Sequence, residues 1–115
     1  MISPSAARTA RLWELYRITD ADYEAVLAAQ GGVCAITGLT SSRNFNVDHD
    51  HKTGLFRGLL SGWANKGLSF FDDDPAQLEA AARYLRNPPA VAAIGERYGL
   101  LGKAKRKKKM IYGGV

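Results

Sequence analysis

Apolar residues recur at helical spacing near the start of the chain. Leu12, Leu15 and Tyr16 share one side of the segment Ser5 to Arg17, leaving Arg8, Arg11, Glu14 and Arg17 for water. Thr19 followed by Asp20 and Asp22 is a helix start, with a hydroxyl cap and acids in the first turn, and Gly31-Gly32 is a stop. A second helix is therefore expected from Asp20 to Gln30, burying Tyr23, Val26 and Leu27. From Val33 to Leu60 the pattern breaks into short runs. Two strands are predicted near Phe45 to His49 and Leu55 to Arg57, joined through Asp50 to Gly54, where Gly54 can supply positive φ. Ser61 then suits the cap of a short helix through Trp63, Asn65 and Leu68. Asp74 and Pro75 open a helix with Leu78, Ala82 and Leu85 on one face, ended before Pro88-Pro89, and a short amphipathic piece spans Val91 to Tyr98.

This pattern predicts an α+β, mostly helical fold. At 115 residues, one domain over residues 1–102 is expected: N-terminal helices over 5–30, the strand-strand-helix segment over 33–70 and C-terminal helices over 75–99. Residues 103–115 form a separate basic tail. Lys103, Lys105, Arg106, Lys107, Lys108 and Lys109 carry six positive charges against a net charge of +5 for the whole chain, so the basicity belongs to the tail. A dense row of cations at a chain end gains free energy by releasing DNA counterions, which makes these six residues candidate phosphate contacts; the alternative is a solvated charged tail. A single cysteine, Cys34, forbids an intramolecular disulfide and points to a reducing, cytoplasmic compartment. No apolar run approaches a membrane span or a signal-peptide core, so no membrane partner is expected.

Chemistry concentrates in one place. Asp48-His49-Asp50-His51 holds both histidines of the protein and two acids at consecutive positions. On a regular strand Asp48 and Asp50 would share one face and His49 and His51 the other, unless the strand ends or bulges. Phosphodiester hydrolysis needs a base for water, a cation to stabilise charge on the phosphate, and a cationic side chain to position the backbone. An imidazole, largely neutral near pH 7, suits the first role. A carboxylate and an amide oxygen suit Mg²⁺, which keeps several waters and takes one or two protein ligands. His49, Asp48 and Asn65 would fill these roles if the helix after the hairpin folds back over it. The competing reading of the cluster is a polar loop that caps itself by hydrogen bonds.

The ordered set Gly32-Val33-Cys34-Ala35-Ile36-Thr37-Gly38, Val47-Asp48-His49-Asp50-His51-Lys52-Thr53-Gly54, Phe56-Arg57-Gly58-Leu59-Leu60 and Asn65 resembles the recombination endonuclease VII family of phage HNH nucleases. More loosely, the likeness covers about residues 19–88. It implies a ββα-metal (HNH, His-Me finger) motif in which Asp48 and Asn65 ligate a divalent cation, Mg²⁺ or Mn²⁺, and His49 is the general base. His51 and Arg57 lie in the same segment and would touch phosphate or hold the loop. The family typically carries a structural zinc on two Cys-x-x-Cys pairs. Here Cys34 keeps the first position, while Thr37, Ser61 and Ala64 stand at the other three, so no structural zinc is expected. Packing would then have to replace the folding energy of the metal. Trp63 is expected to fill that volume among Ile36, Leu39 and Leu60; its other reading is an exposed surface on which DNA stacks. A zinc site of Cys34, His49 and His51 is a weaker alternative, since it leaves Asp48 and Asn65 unexplained.

The expectation is a metal-dependent endonuclease that nicks or cuts duplex or branched DNA, in phage recombination, packaging or repair. The rival is a non-catalytic DNA-binding or scaffold protein keeping the same fold. An accessory role with phage packaging or recombination proteins is a third. The apolar residues Leu12, Trp13, Leu15 and Tyr16 of the first helix offer a candidate homodimer surface, or simply pack within the chain.

Overall fold

The computed structural model describes residues 5–102, so the basic run Lys103 to Lys109 lies outside the described residues. The element order is α1 (Ala6–Tyr16), α2 (Asp20–Ala29), β1 (Asn46–His49), β2 (Phe56–Leu60), α3 (Gly62–Phe70), α4 (Pro75–Arg86) and α5 (Pro89–Ile94). This is the α+β, mostly helical architecture the pattern predicts. The chain falls into two compact units, Met1–Asn65 and Lys66–Val115, with the boundary inside α3.

In the first unit, Ser5 caps α1 by accepting from the Arg8 N–H, and Arg17 ends it in the left-handed conformation at φ 56. Leu12 and Ile18 are buried while Leu15 is 63% exposed, which corrects the expected core face. The reversal at Arg17 is the reason: it carries Ile18 inward, where its N–H reaches Leu12 O at 3.4 Å. Thr19 and Asp22 form a reciprocal capping box at the start of α2. Of the expected α2 core residues only Tyr23 is buried, Val26 and Leu27 being half-buried. The Tyr23 hydroxyl donates to Phe45 O at 3.0 Å, which ties α2 to the chain entering β1. Across its ring face lies the Arg8 guanidinium, 4.4 Å from the centroid.

β1 and β2 form a two-stranded antiparallel sheet with the pairs Asn46↔Leu60, Val47↔Leu59, Asp48↔Gly58 and His49↔Phe56. Arg57 is skipped in this ladder, a bulge on β2. The second strand extends past the predicted Arg57 because the apolar Leu59 and Leu60 continue the pairing and are buried. A lone pair of strands is marginal in water. Here the Gln30 side chain takes the place of a third strand: its amide donates to Leu59 O (3.0 Å) and Val33 O (2.8 Å), and its oxygen accepts from Leu59 N (2.9 Å). A Cβ on Gly58 would stand 3.2 Å from that oxygen, so this close approach favours glycine.

In the second unit, Asp74 caps α4 by accepting from Ala76 N, and Pro75 opens the helix. Gly95, at φ 81, stops α5 at Ile94, short of the predicted Tyr98. Neither α4 nor α5 contains a buried residue. Among the described residues no helix is long and apolar enough to cross a membrane.

Candidate functional site at the end of the hairpin

β1 stops at His49, and the next residues build a tight loop. The Asp50 carboxylate accepts from Lys52 N (2.8 Å) and Thr53 N (2.9 Å), while Gly54 N returns to Asp50 O and Asp50 N to Leu55 O. Those backbone N–H groups, Thr53 first and then Lys52, hold the Asp50 carboxyl below its ordinary value. The self-capping reading of the cluster therefore applies to Asp50, and leaves Asp48, His49 and His51 for other work.

The bulge decides what Asp48 meets. Arg57 precedes Gly58, the partner of Asp48, and on a regular strand it would point to the opposite face. An extra residue at this point re-aims the side chain. Its Nε donates to Asp48 Oδ2 at 2.8 Å and its Nη2 to Asp48 Oδ1 at 2.9 Å, a two-pronged pair. Asp48 is 6% exposed, so this partner compensates a charge largely removed from water.

His49 is half-buried and its ring lies between two aromatic neighbours: Tyr16 from the end of α1, centroids 5.6 Å apart, and His51 across the loop, 5.0 Å apart. The strand end and the bulge together let two histidines two positions apart meet in this way. Asn65 is half-buried on α3, its N–H bonded to Ser61 O at 3.0 Å, and α3 follows β2 after the single residue Ser61. Among the described residues no three His, Cys, Asp or Glu side chains gather as a metal cluster, so Cys34, His49 and His51 do not form the alternative zinc site.

Of the four positions that the resemblance assigns to zinc ligands, Cys34 meets Thr37 and Ser61, and three of the four carry no thiol. Cys34 and Thr37 are 1% exposed and Ala64 5%. Ser61 donates to Cys34 Sγ from its N–H (3.3 Å), with its hydroxyl 3.7 Å from the sulfur. Burial raises the Cys34 thiol, but hydrogen bonds from Thr37, Ser61 and Ile36 outweigh it and bring the thiol down to about 7. Trp63, expected to be buried here, instead stands 53% exposed, while the small residues Cys34, Thr37 and Ala64 are the buried ones. Its alternative reading, a surface residue, is the observed placement.

Residues 9–87 match the family model described as recombination endonuclease VII. The chain belongs to the recombination endonuclease VII family. Within it, the chain is 44% identical over 100 residues to Gene 59 protein of Mycobacterium phage D29, covering 80% of this chain and 61% of that protein. With Gene 59 protein of Mycobacterium phage L5 it shares 40% over 106 residues, 79% of this chain and 60% of the relative. The chain thus spans about three fifths of the length of these two relatives. No solved structure matches it. For this endonuclease VII family member, the sequence names Asp48, His49, Asn65 and Arg57 as candidates and leaves out two residues that support the hairpin in the structure, Tyr16 and Gln30. From sequence, Tyr16 reads only as core or dimer surface and Gln30 only as a helix end, while Arg57 reads as a phosphate or loop contact and not as the partner of Asp48. One signal lies in the sequence: a glycine inside a strand pattern, Gly58, marks a bulge or a close backbone approach, and here it stands beside both.

Proposed function

We propose that the chain is a divalent-metal-dependent DNA endonuclease of the HNH type, nicking or cutting duplex or branched DNA in phage recombination, packaging or repair. The observation that carries this reading is the end of the hairpin, where a buried carboxylate and a half-exposed imidazole stand at consecutive positions on β1, opposite the bulge of β2. His49 takes the proton of the attacking water. Its ring is held between Tyr16 and His51, so its orientation is set by ring contacts.

Asp48 and Asn65 would hold the cation. The donor set fits Mg²⁺ or Mn²⁺: both residues offer hard oxygens, and Mg²⁺ takes as few as one or two protein ligands. Arg57 uses two of the roughly four lone-pair sites of the Asp48 carboxylate, which leaves sites on the same oxygens for a metal. When bound, the cation supplies charge stabilisation at the phosphate and the leaving oxygen. Arg57 positions Asp48, and with His51 and the cations Lys103, Lys105, Arg106, Lys107, Lys108 and Lys109 it meets the DNA backbone. A host-cytoplasmic protein acting as a homodimer, or with packaging or recombination proteins, fits this reading.

One observation favours a second reading, a DNA-binding protein without catalysis. The Arg57 guanidinium already neutralises Asp48, as a cation would. Conversion of supercoiled plasmid to nicked and linear forms, with Mg²⁺, Mn²⁺ or EDTA, separates the two, with circular dichroism following the fold. Cutting that needs the cation and falls by about 10²- to 10⁴-fold in His49→Ala supports the endonuclease. A folded protein that shifts DNA on a gel and cuts nothing under any of these conditions sinks it in favour of the binder.

A further inference from the structure

Beside the hairpin, within the first unit, lies a second feature that the proposed chemistry does not use. A cleft of about 290 Å³ is lined by Leu39, Arg43, Asn44, Asn46, Ser61 and Trp63, with neighbouring small residues. Its position follows from the fold. Asn46 opens β1, Ser61 ends the link from β2, Trp63 lies in the first turn of α3, and Arg43 and Asn44 come from the loop before β1. Asn46 also lies close to the start of α3, its Nδ2 3.8 Å from where a Cβ on Gly62 would be.

The lining has a definite chemistry. One wall is an indole, 53% exposed, with no ring or cation partner among the described residues. The other tryptophan of the chain, Trp13, is similarly exposed, at 51%, but the Arg17 guanidinium lies 5.3 Å from its ring centroid. Lining the same cleft are two primary amides, which offer donors and acceptors together, and one guanidinium. No carboxylate lines the cleft, so it carries net positive charge and is no site for a metal cation. An aromatic face, amides able to read an edge, and a cation for phosphate are what an unpaired nucleobase and its backbone require. The volume lies at the small end of ligand pockets, room for one base and far too little for a duplex.

Its placement fits the same ligand. Asn46 and Asp48 are two residues apart on β1 and face the same side, about 7 Å along the strand. A strand of DNA that runs along β1 at Asp48 would reach the cleft within about one nucleotide. We propose that this cleft binds one unpaired nucleobase, stacked on Trp63, with Asn44 and Asn46 at its edge and Arg43 on the adjoining phosphate. The proposal rests on the DNA-directed reading above and adds to it a subsite for single-stranded substrate.

The test reads binding, in EDTA, so that cleavage plays no part. The full chain in a Trp13→Phe background leaves Trp63 as the sole indole, and a short oligothymidylate is titrated while its emission is followed, with a fluorescein-labelled duplex of the same length measured by anisotropy. The expected result is quenching of Trp63 by the single strand. Trp63→Ala should weaken single-strand binding roughly 5- to 100-fold, Trp63→Phe much less, and neither should move duplex affinity by more than about 2-fold. Arg43→Ala should weaken it as well, and lower its salt dependence. The cleft is overturned if the single strand leaves Trp63 emission unchanged, or if Trp63→Ala and Arg43→Ala, both folded, bind it as the parent does. Duplex binding and plasmid cutting that persist in that case keep the endonuclease reading, whereas failure to bind any DNA removes both.

Discussion

The two units of this chain use similar amounts of helix to different ends. Every buried side chain among the described residues, from Leu12 to Ala64, belongs to the unit Met1–Asn65. In Lys66–Val115 the apolar face of α4 is regular in sequence, yet Leu78, Ala81 and Ala82 are only half-buried and Leu85 is 57% exposed. Helical periodicity states which face is apolar; it does not state how well that face is covered. The difference matters for function because catalysis tolerates little movement of its groups. The residues proposed for chemistry, Asp48, His49 and Asn65, all lie in the unit that has a core.

Four measurements sharpen or break this contrast. The largest effect is expected at Leu59, fully buried on β2: Leu59→Ala should lower stability by about 2–5 kcal/mol in denaturant unfolding. A loss below about 1 kcal/mol would mean that the hairpin is not the anchored element described above.

Gln30→Ala comes next. It removes the bonds that stand in for a third strand and leaves Leu59 N–H without its partner, at about 1–3 kcal/mol. Amide hydrogen exchange at Leu59 should quicken in this variant while α4 amides keep their rates. Equal quickening in α4 would show that the two units unfold as one.

A smaller effect should appear as a pH dependence at Cys34. Its folded value of about 7 lies below the ordinary 9.0, so the unfolded chain holds the proton to higher pH. Stability from this group is complete above about pH 9 and is lost as pH falls through 7. Denaturant midpoints measured from pH 6.5 to 9.5 should rise with pH, and Cys34→Ser should flatten that rise. A wild-type curve already flat would show the thiol to be unperturbed.

Smallest of all, Leu85→Ala on the exposed face of α4 should change stability by no more than about 0.5 kcal/mol. A loss of several kcal/mol that grew with protein concentration would reveal that a second chain covers this face.

Much was legible before any coordinates. The caps at Thr19 and Asp74, the stops at Gly31-Gly32 and Pro88, and the strand-strand-helix order are local signals, set by hydrogen bonds within a few residues, and the elements stand where those signals place them. Strand extent was less legible, since the second strand ends where pairing with Asn46 and Val47 ends, a non-local fact. Trp63 shows the limit of filling a space by residue type. Size and hydrophobicity argued for the core, but the small residues Cys34, Thr37 and Ala64 are buried and Trp63 is not.

By itself, then, the sequence determined the fold class and the helix and hairpin order, and it singled out Asp48, His49 and Asn65 as candidates, because capping, periodicity and residue type act at short range. Only the tertiary structure decided that Arg57 turns through a bulge onto Asp48, that Tyr16 and His51 hold His49, that Gln30 closes the sheet edge, and that Trp63 faces a polar cleft. Each of those joins residues that a skipped ladder position or a long loop brings together. Such pairings depend on register and packing across the whole unit, which spacing along the chain does not encode.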